Sequence, residues 1–166
     1  TLRGVPTIYS GDEQGFVGDG NDQDAREDMF ASKVAVYNDN RLLGTDTTTA
    51  TAHFGAANPL FREIAALSAV RRAHAALMRG RQLLRYRQDK PGLLAISRFD
   101  PVTGREILLA YNTSTAPVTQ QVQVDTASMR FATLAGTCAA SASAPGSVTV
   151  TLPPLGYAIC AAETSE

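Results

Sequence analysis

Gly4-Val5-Pro6-Thr7-Ile8-Tyr9-Ser10-Gly11-Asp12-Glu13 is the stretch on which the fold turns. Pro6 to Ser10 reads as a short apolar strand, and Gly11 ends it. No initiator Met, charged n-region or apolar h-region precedes it, so the sequence predicts a chain that begins inside a fold. Downstream, an acidic, glycine-rich segment runs to Arg26-Glu27-Asp28-Met29-Phe30, and the chain stays loop-rich as far as Asn58. A connection this long is usually functional or partly helical, and a helical turn is expected within Asp24 to Val36.

Asn58-Pro59 opens a long helix. Asn58 suits the N-cap, and Pro59 suits the first helical position, where its missing N–H costs nothing. Leu60, Ile64, Leu67, Val70 and Leu77 recur at three- or four-residue spacing and give the helix one apolar face. Arg71, Arg72 and Arg79 crowd its C-terminal half, where cations complement the helix dipole, and Gly80 can end it. Residues 1 to 80 therefore read as a strand, a long loop and a covering helix.

A change of composition follows. From residue 107 onward the only charged residues are Asp125, Arg130, Glu163 and Glu166, which places a boundary near Gly80 to Pro91. Leu93 to Phe99 and Glu106 to Tyr111 flank Asp100-Pro101-Val102-Thr103-Gly104, whose Pro and Gly supply turn geometry, so the two runs predict a hairpin. Val118, Val122 and Val124 alternate with Thr119, Gln121 and Gln123, the period of a half-buried strand. Further strands are expected at Gln82 to Tyr86, Met129 to Leu134, Val148 to Leu152 and Tyr157 to Cys160. Seven short strands at this spacing predict a small sandwich or Greek-key barrel over residues 81 to 166.

The net charge of -1 argues against a general polyanion binder. Of 15 basic residues only Lys33 and Lys90 are not arginine. Arg79, Arg81, Arg85 and Arg87 lie close together, but no basic excess or aromatic-interleaved stripe supports nucleic-acid binding. No apolar run approaches the roughly 18 residues of a membrane span. Cys138 and Cys160 are too few for a metal framework, and no His/Cys pair has zinc-ligand spacing. They are either buried thiols or one disulfide; bridged, they fit an exported protein.

Three segments carry a family resemblance. Gly4 to Glu13 resembles the last-strand motif of the α-amylase family of glycoside hydrolases. Pro59-Leu60-Phe61-Arg62 through Arg71-Arg72-Ala73-His74 and Leu77 is similar to that family's final barrel helix. Leu152-Pro153-Pro154-Leu155-Gly156-Tyr157 is similar to the last strand of its C-terminal β domain. The resemblance implies an α+β fragment: the final βα unit of a (β/α)8 barrel over residues 1 to 80, then an antiparallel β-sandwich or Greek-key domain. It also implies a parent α-glycosidase or α-transglycosylase with a retaining mechanism, whose catalytic acids all lie upstream of Thr1. On this reading the chain alone is inactive and holds no catalytic residue.

Asp12 and Glu13 do not replace those acids, because neighbours in an extended chain point to opposite sides. Asp22 and Arg26 are the candidates for substrate binding. Asp19-Gly20-Asn21-Asp22-Gln23-Asp24-Ala25-Arg26 resembles a family loop reading Gly-Gly-Asn-Asp-Pro-x-x-Arg, whose Asp and Arg bind a glucose unit on the glycone side. Here Gln23 replaces Pro and Asp19 replaces the first Gly. A carboxylate accepts from sugar hydroxyls and a guanidinium donates to them; the alternative is an internal salt bridge that fastens the loop. Asp19, Asn21 and Gln23 imitate the start of an EF-hand loop, but Asp24 stands where Gly is needed and Phe30 where the bidentate Glu belongs. No metal or cofactor is therefore expected in this chain, with calcium left to the parent enzyme. Tyr9 and Phe16 are aromatics that either stack on sugar or pack as core, and His53 and His74 read as structural.

The expected partners are the remainder of the barrel and an α-glucan, maltooligosaccharide or sucrose-type substrate. A different class, a non-catalytic carbohydrate-binding or structural β module, is the alternative.

Overall fold

The computed structural model describes residues 1–163. Two compact units divide them, one of Gly4–Ser68 and one of Thr1–Arg3 with the chain from Ala69 onward. In chain order the helices are α1 (Ala35–Asn38), α2 (Pro59–Ala73) and α3 (Ala75–Arg79). The strands are β1 (Arg81–Arg87), β2 (Leu93–Phe99), β3 (Glu106–Asn112), β4 (Val118–Gln123), β5 (Phe131–Gly136), β6 (Ser147–Leu152) and β7 (Tyr157–Ala162). Every strand predicted beyond residue 80 is present to within two residues at each end. The helical turn expected before Val36 forms at α1 instead.

The strands build a two-sheet sandwich. One antiparallel sheet runs β1-β2-β3-β7-β5, and β4 pairs with β6 in the second. Asp100 sets the β2–β3 hairpin: its Oδ1 accepts the N–H groups of Val102 and Thr103, both at 2.9 Å, and its carbonyl accepts Gly104 N–H at 3.0 Å. Gly104 takes φ +69°, a conformation that glycine adopts without penalty. The inward faces of the two sheets meet in one core of Leu93, Ala95, Leu108, Val122, Phe131, Val148, Leu152 and Cys160, among others. On the opposite face of the large sheet Ile107, Leu109 and Ile159 are buried, and α3 packs on β2 and β3.

Two strands cannot cover five. β4 lies over β1 and β2, and β6 lies over β3. Near β5 and β7 the chain from 137 to 146 runs alongside instead: Phe131 N–H donates to Ala140 O at 3.0 Å and Ala142 N–H to Met129 O at 2.8 Å. A disulfide joins Cys138 to Cys160 of β7 with Cα atoms 5.8 Å apart, deciding between the two states the sequence left open. A mostly apolar cavity of about 240 Å³ lies beneath, bounded by Leu108, Phe131, Val150, Ala158 and the disulfide.

A β-bulge shapes the near end of the sandwich. The β1–β2 register skips Arg85, pairing Leu84 with Ile96 and Tyr86 with Ala95. Regular alternation would send Arg85 and Tyr86 to opposite faces; the extra residue lets both turn inward. Tyr86 joins the core. Arg85 meets Glu106, donating from Nη2 to Oε1 at 2.7 Å, and its Nε donates to Ser97 Oγ at 2.7 Å. Ser97 Oγ also donates to Glu106, whose second oxygen accepts Asp125 N–H at 2.8 Å. The predicted cluster of arginines is thus dispersed: Arg81 stacks 4.2 Å from the Phe99 ring centre, and Arg87 approaches Asp89 at 3.8 Å.

The helical segment departs from expectation. Asn58 caps α2 as predicted, its Oδ1 accepting Leu60 N–H at 2.8 Å. The continuous helix expected to Gly80 breaks at His74, which takes extended φ and ψ and whose carbonyl opens α3. The break re-aims the chain: α2 buries none of its residues, whereas α3 buries Ala76 and Leu77. Gly80 then ends α3 where a Cβ would lie 2.2 Å from Phe99 O, so only glycine fits this close approach.

Candidate functional site

Pro6 to Ser10 is not a strand. A strand needs a neighbouring edge to satisfy its N–H and C=O groups, and among the described residues none pairs with it. Val5, Ile8 and Tyr9 stand 91%, 49% and 68% exposed. The chain turns at once: Asp12 N–H donates to Tyr9 O at 3.0 Å and Asp12–Gln14 form a 3-10 turn. Asp12 and Glu13 therefore lie on a turn rather than an extended segment. Both serve local backbone, Asp12 accepting Tyr9 N–H at 2.9 Å and Glu13 accepting Gly11 N–H at 3.1 Å. Gln14 and Asn58 then tie this turn to the start of α2, Asn58 Nδ2 donating to Gln14 O at 2.8 Å.

The loop bearing Asp22 and Arg26 is organised by Asn21. Its Oδ1 accepts Gln23 N–H at 2.8 Å and Asp24 N–H at 3.2 Å, and its Nδ2 donates to Asp24 Oδ2 at 2.7 Å. This is an Asx-type turn, which a short amide side chain favours. Gln23 contributes an N–H that a proline would lack, so its presence builds the turn by a different route. One turn later Arg26 reaches back to Asp22, Nη2 to Oδ2 and Nε to the carbonyl at 3.2 Å. The side chains remain 82% exposed at Asp22 and 65% at Arg26, so both are open to a ligand.

Glu27 follows in the same loop. Burial pushes its carboxyl above the usual range, a hydrogen bond from the Gly18 backbone works against the shift, and the charges of Asp19 and Asp39 add to it. Its Oε2 is buried with no hydrogen-bond partner among the described residues. The Asn21 oxygen is taken up by the N–H groups of Gln23 and Asp24; among the described residues no group of three or more His, Cys, Asp or Glu is placed to hold a metal ion. No helix among them is long and apolar enough to cross a membrane.

The remaining aromatic and histidine candidates separate. Tyr9 is exposed, while Phe16 sits edge-on to His53 with ring centres 6.0 Å apart. His53 Nε2 bonds Thr48 O at 2.8 Å, and His74 opens α3 through its backbone, so both histidines serve structure. Two features escaped sequence reading. One is the Arg85–Glu106 pair; its signal was a lone acid opening an apolar strand, which demands a buried cation. The other is an exposed aromatic pair, Phe30 and Phe54, which carries no periodic signal at all.

Comparison with known proteins adds a relationship. No protein-family model matches the chain. An alpha-amylase of Streptomyces lividans is 46% identical over 152 residues, covering 91% of this chain and 16% of that protein. The chain belongs to the α-amylase family. It spans less than a fifth of that relative's length. Among solved structures, the native Nostoc punctiforme debranching enzyme superposes with a TM-score of 0.55 at 22% identity, over 72% of this chain and 25% of that one. AmyP in complex with maltose gives 0.55 at 17% identity, over 73% of this chain and 26% of that one. At these identities the two structures support the α-amylase-family fold, whose β-sandwich is the part described above.

Proposed function

We propose that this chain is the C-terminal portion of an α-amylase-family glycosidase that cleaves or transfers at α-glucosidic bonds, and that it supplies glycone-side contacts through Asp22 and Arg26. The observation that carries the reading is the exposed carboxylate–guanidinium pair on a loop ordered by Asn21. A carboxylate accepts from adjacent hydroxyls while a guanidinium fork donates to them, which orients a pyranose without attacking it. Binding sugar means exchanging an exposed ion pair worth about 0.3–0.5 kcal/mol for contacts to both partners, a small cost.

In this reading residues 1 to 80 are the final βα unit of the catalytic barrel. Exposed Val5, Ile8 and Tyr9, and an α2 whose apolar stripe is nowhere fully buried, fit a segment that packs on further barrel. The catalytic acids belong to that remainder, since Asp12 and Glu13 are engaged with backbone. The substrate is an α-glucan, maltooligosaccharide or sucrose-type sugar, and calcium, where used, is held outside this chain. The disulfide supports maturation in an oxidising compartment, as for an exported enzyme.

Asp22→Ala and Arg26→Ala in the full-length enzyme test the assignment. Each should lower kcat/KM by roughly 1.5 to 3 kcal/mol, the worth of a hydrogen bond to a charged group, with the melting temperature unchanged. Unchanged kinetics with a lowered melting temperature would assign the pair to fastening the loop.

A further inference from the structure

We infer that Phe30 and Phe54 form a stacking platform for glucose units of a bound α-glucan beyond those held by Asp22 and Arg26; the inference rests on the proposed glycosidase reading. Their rings lie 5.0 Å apart at 70°, edge to face, yet remain 69% and 60% exposed. Large aromatics of this kind dominate interface energetics when covered, and here each keeps ring surface open to solvent.

The pair is held in place by its backbone. Ser32 N–H donates to Thr49 O and His53 N–H to Met29 O, both at 2.8 Å, so segments 29–32 and 49–53 run bonded together, and Phe30 and Phe54 each follow a residue of the His53–Met29 bond. Asp28 Oδ1 accepts Phe30 N–H at 2.8 Å and fixes its approach. The same frame reaches the sugar-contact loop: buried Thr49 bonds Asn38 and Tyr37 O, and Tyr37 OH donates to Gln23 O at 3.4 Å, between Asp22 and Arg26. Platform and fork are thus parts of one bonded assembly.

Sugar chemistry supplies the ligand. A pyranose presents C–H groups on its faces and hydroxyls around its rim, so it meets an aromatic face with the first and charged groups with the second. Successive units of an α-1,4 chain turn relative to one another, which suits two planes set at 70° and does not suit the flat ribbon of a β-1,4 glucan.

The test uses the full-length enzyme with maltoheptaose as the long probe, p-nitrophenyl α-glucoside as the short one and cellohexaose as the β-linked control. Phe30→Ala and Phe54→Ala should raise KM for maltoheptaose about 3- to 10-fold, the value of one aromatic contact, and leave kinetics on the short probe and the melting temperature unchanged. Phe30→Tyr should restore KM, whereas Phe30→Leu, which keeps apolar packing but loses the flat ring, should not. A lowered melting temperature rescued by Leu would overturn the platform, showing that the rings pack against protein. An active wild type whose variants bind maltoheptaose normally, or one that binds cellohexaose equally well, overturns the platform alone. A wild type inert to every α-glucan overturns the glycosidase reading and the platform with it.

Discussion

Replacing Glu106 by Gln tests the energetics of the sandwich most sharply. Its side chain is 0% exposed and Arg85 is 11% exposed, so water cannot compensate what the substitution removes. Oε1 takes hydrogen bonds from Arg85 and Ser97, and Oε2 takes one from the Asp125 backbone. Every donor facing the carboxylate needs an acceptor, and Gln offers one oxygen and one NH2. If the amide oxygen faces Arg85, the NH2 opposes Asp125 N–H; if it is flipped, the NH2 opposes Arg85 and Ser97. Either way a buried donor is orphaned, at about 1–3 kcal/mol, and the Arg85 cation loses its counter-charge. Removing one partner of a buried pair costs about 3–5 kcal/mol in total. Urea titration should show the midpoint falling at unchanged slope. Replacing both partners, as Arg85→Met with Glu106→Leu, should cost less than Glu106→Gln, because no unpaired charge remains buried. A loss below about 1 kcal/mol for Glu106→Gln would refute the claim that this network is desolvated and fully committed.

Two further outcomes follow from the covalent and electrostatic features. With its ends 22 positions apart in sequence, the Cys138–Cys160 loop is worth about 3 kcal/mol in the chain-entropy account, so Cys138→Ala with Cys160→Ala should lower the melting temperature by at least 10 °C in calorimetry. A change within a degree or two would show that the chain from 137 to 146 holds without the bridge. Glu27 gives a pH signature: its folded value lies above the ordinary 4.5, so the folded state binds the proton more tightly than the unfolded state. Stability contributed by this group is therefore lost as pH rises from 4.5 through the folded value, and Glu27→Gln should remove that loss. Urea midpoints of the two proteins that run parallel across this range would refute it.

The β domain was legible because its information is local. Alternation at Val118 to Val124 names a buried face before any partner is known, and Asp100 to Gly104 encodes its hairpin within five residues. Pro6 to Ser10 carries an equally strong apolar signal, yet a strand is a relation between two segments, and the described chain supplies only one. The helix break at His74 was invisible for the same reason: Leu77 keeps the spacing of a continuous stripe while the sheet face it packs on lies elsewhere. Family resemblance supplied Asp22 and Arg26, whose loop chemistry depends on Asn21 and not on the missing proline. Phe30 and Phe54 are 24 residues apart and meet only through loop hydrogen bonds, which no period reports.

The place of β7 has a consequence for how the protein is made. It is the last of the described strands, yet it lies between β3 and β5, and it carries Cys160. While the polypeptide is being synthesised, β5 has no neighbour in its sheet and Cys138 has no sulfur to meet. The large sheet can close only after Ala162 has left the ribosome, so the nascent domain must wait with its inner face open. Truncation before Tyr157 would therefore remove the middle of the sheet and not merely trim its edge. A premature stop there should leave a chain that chaperones and proteases recognise as unfinished.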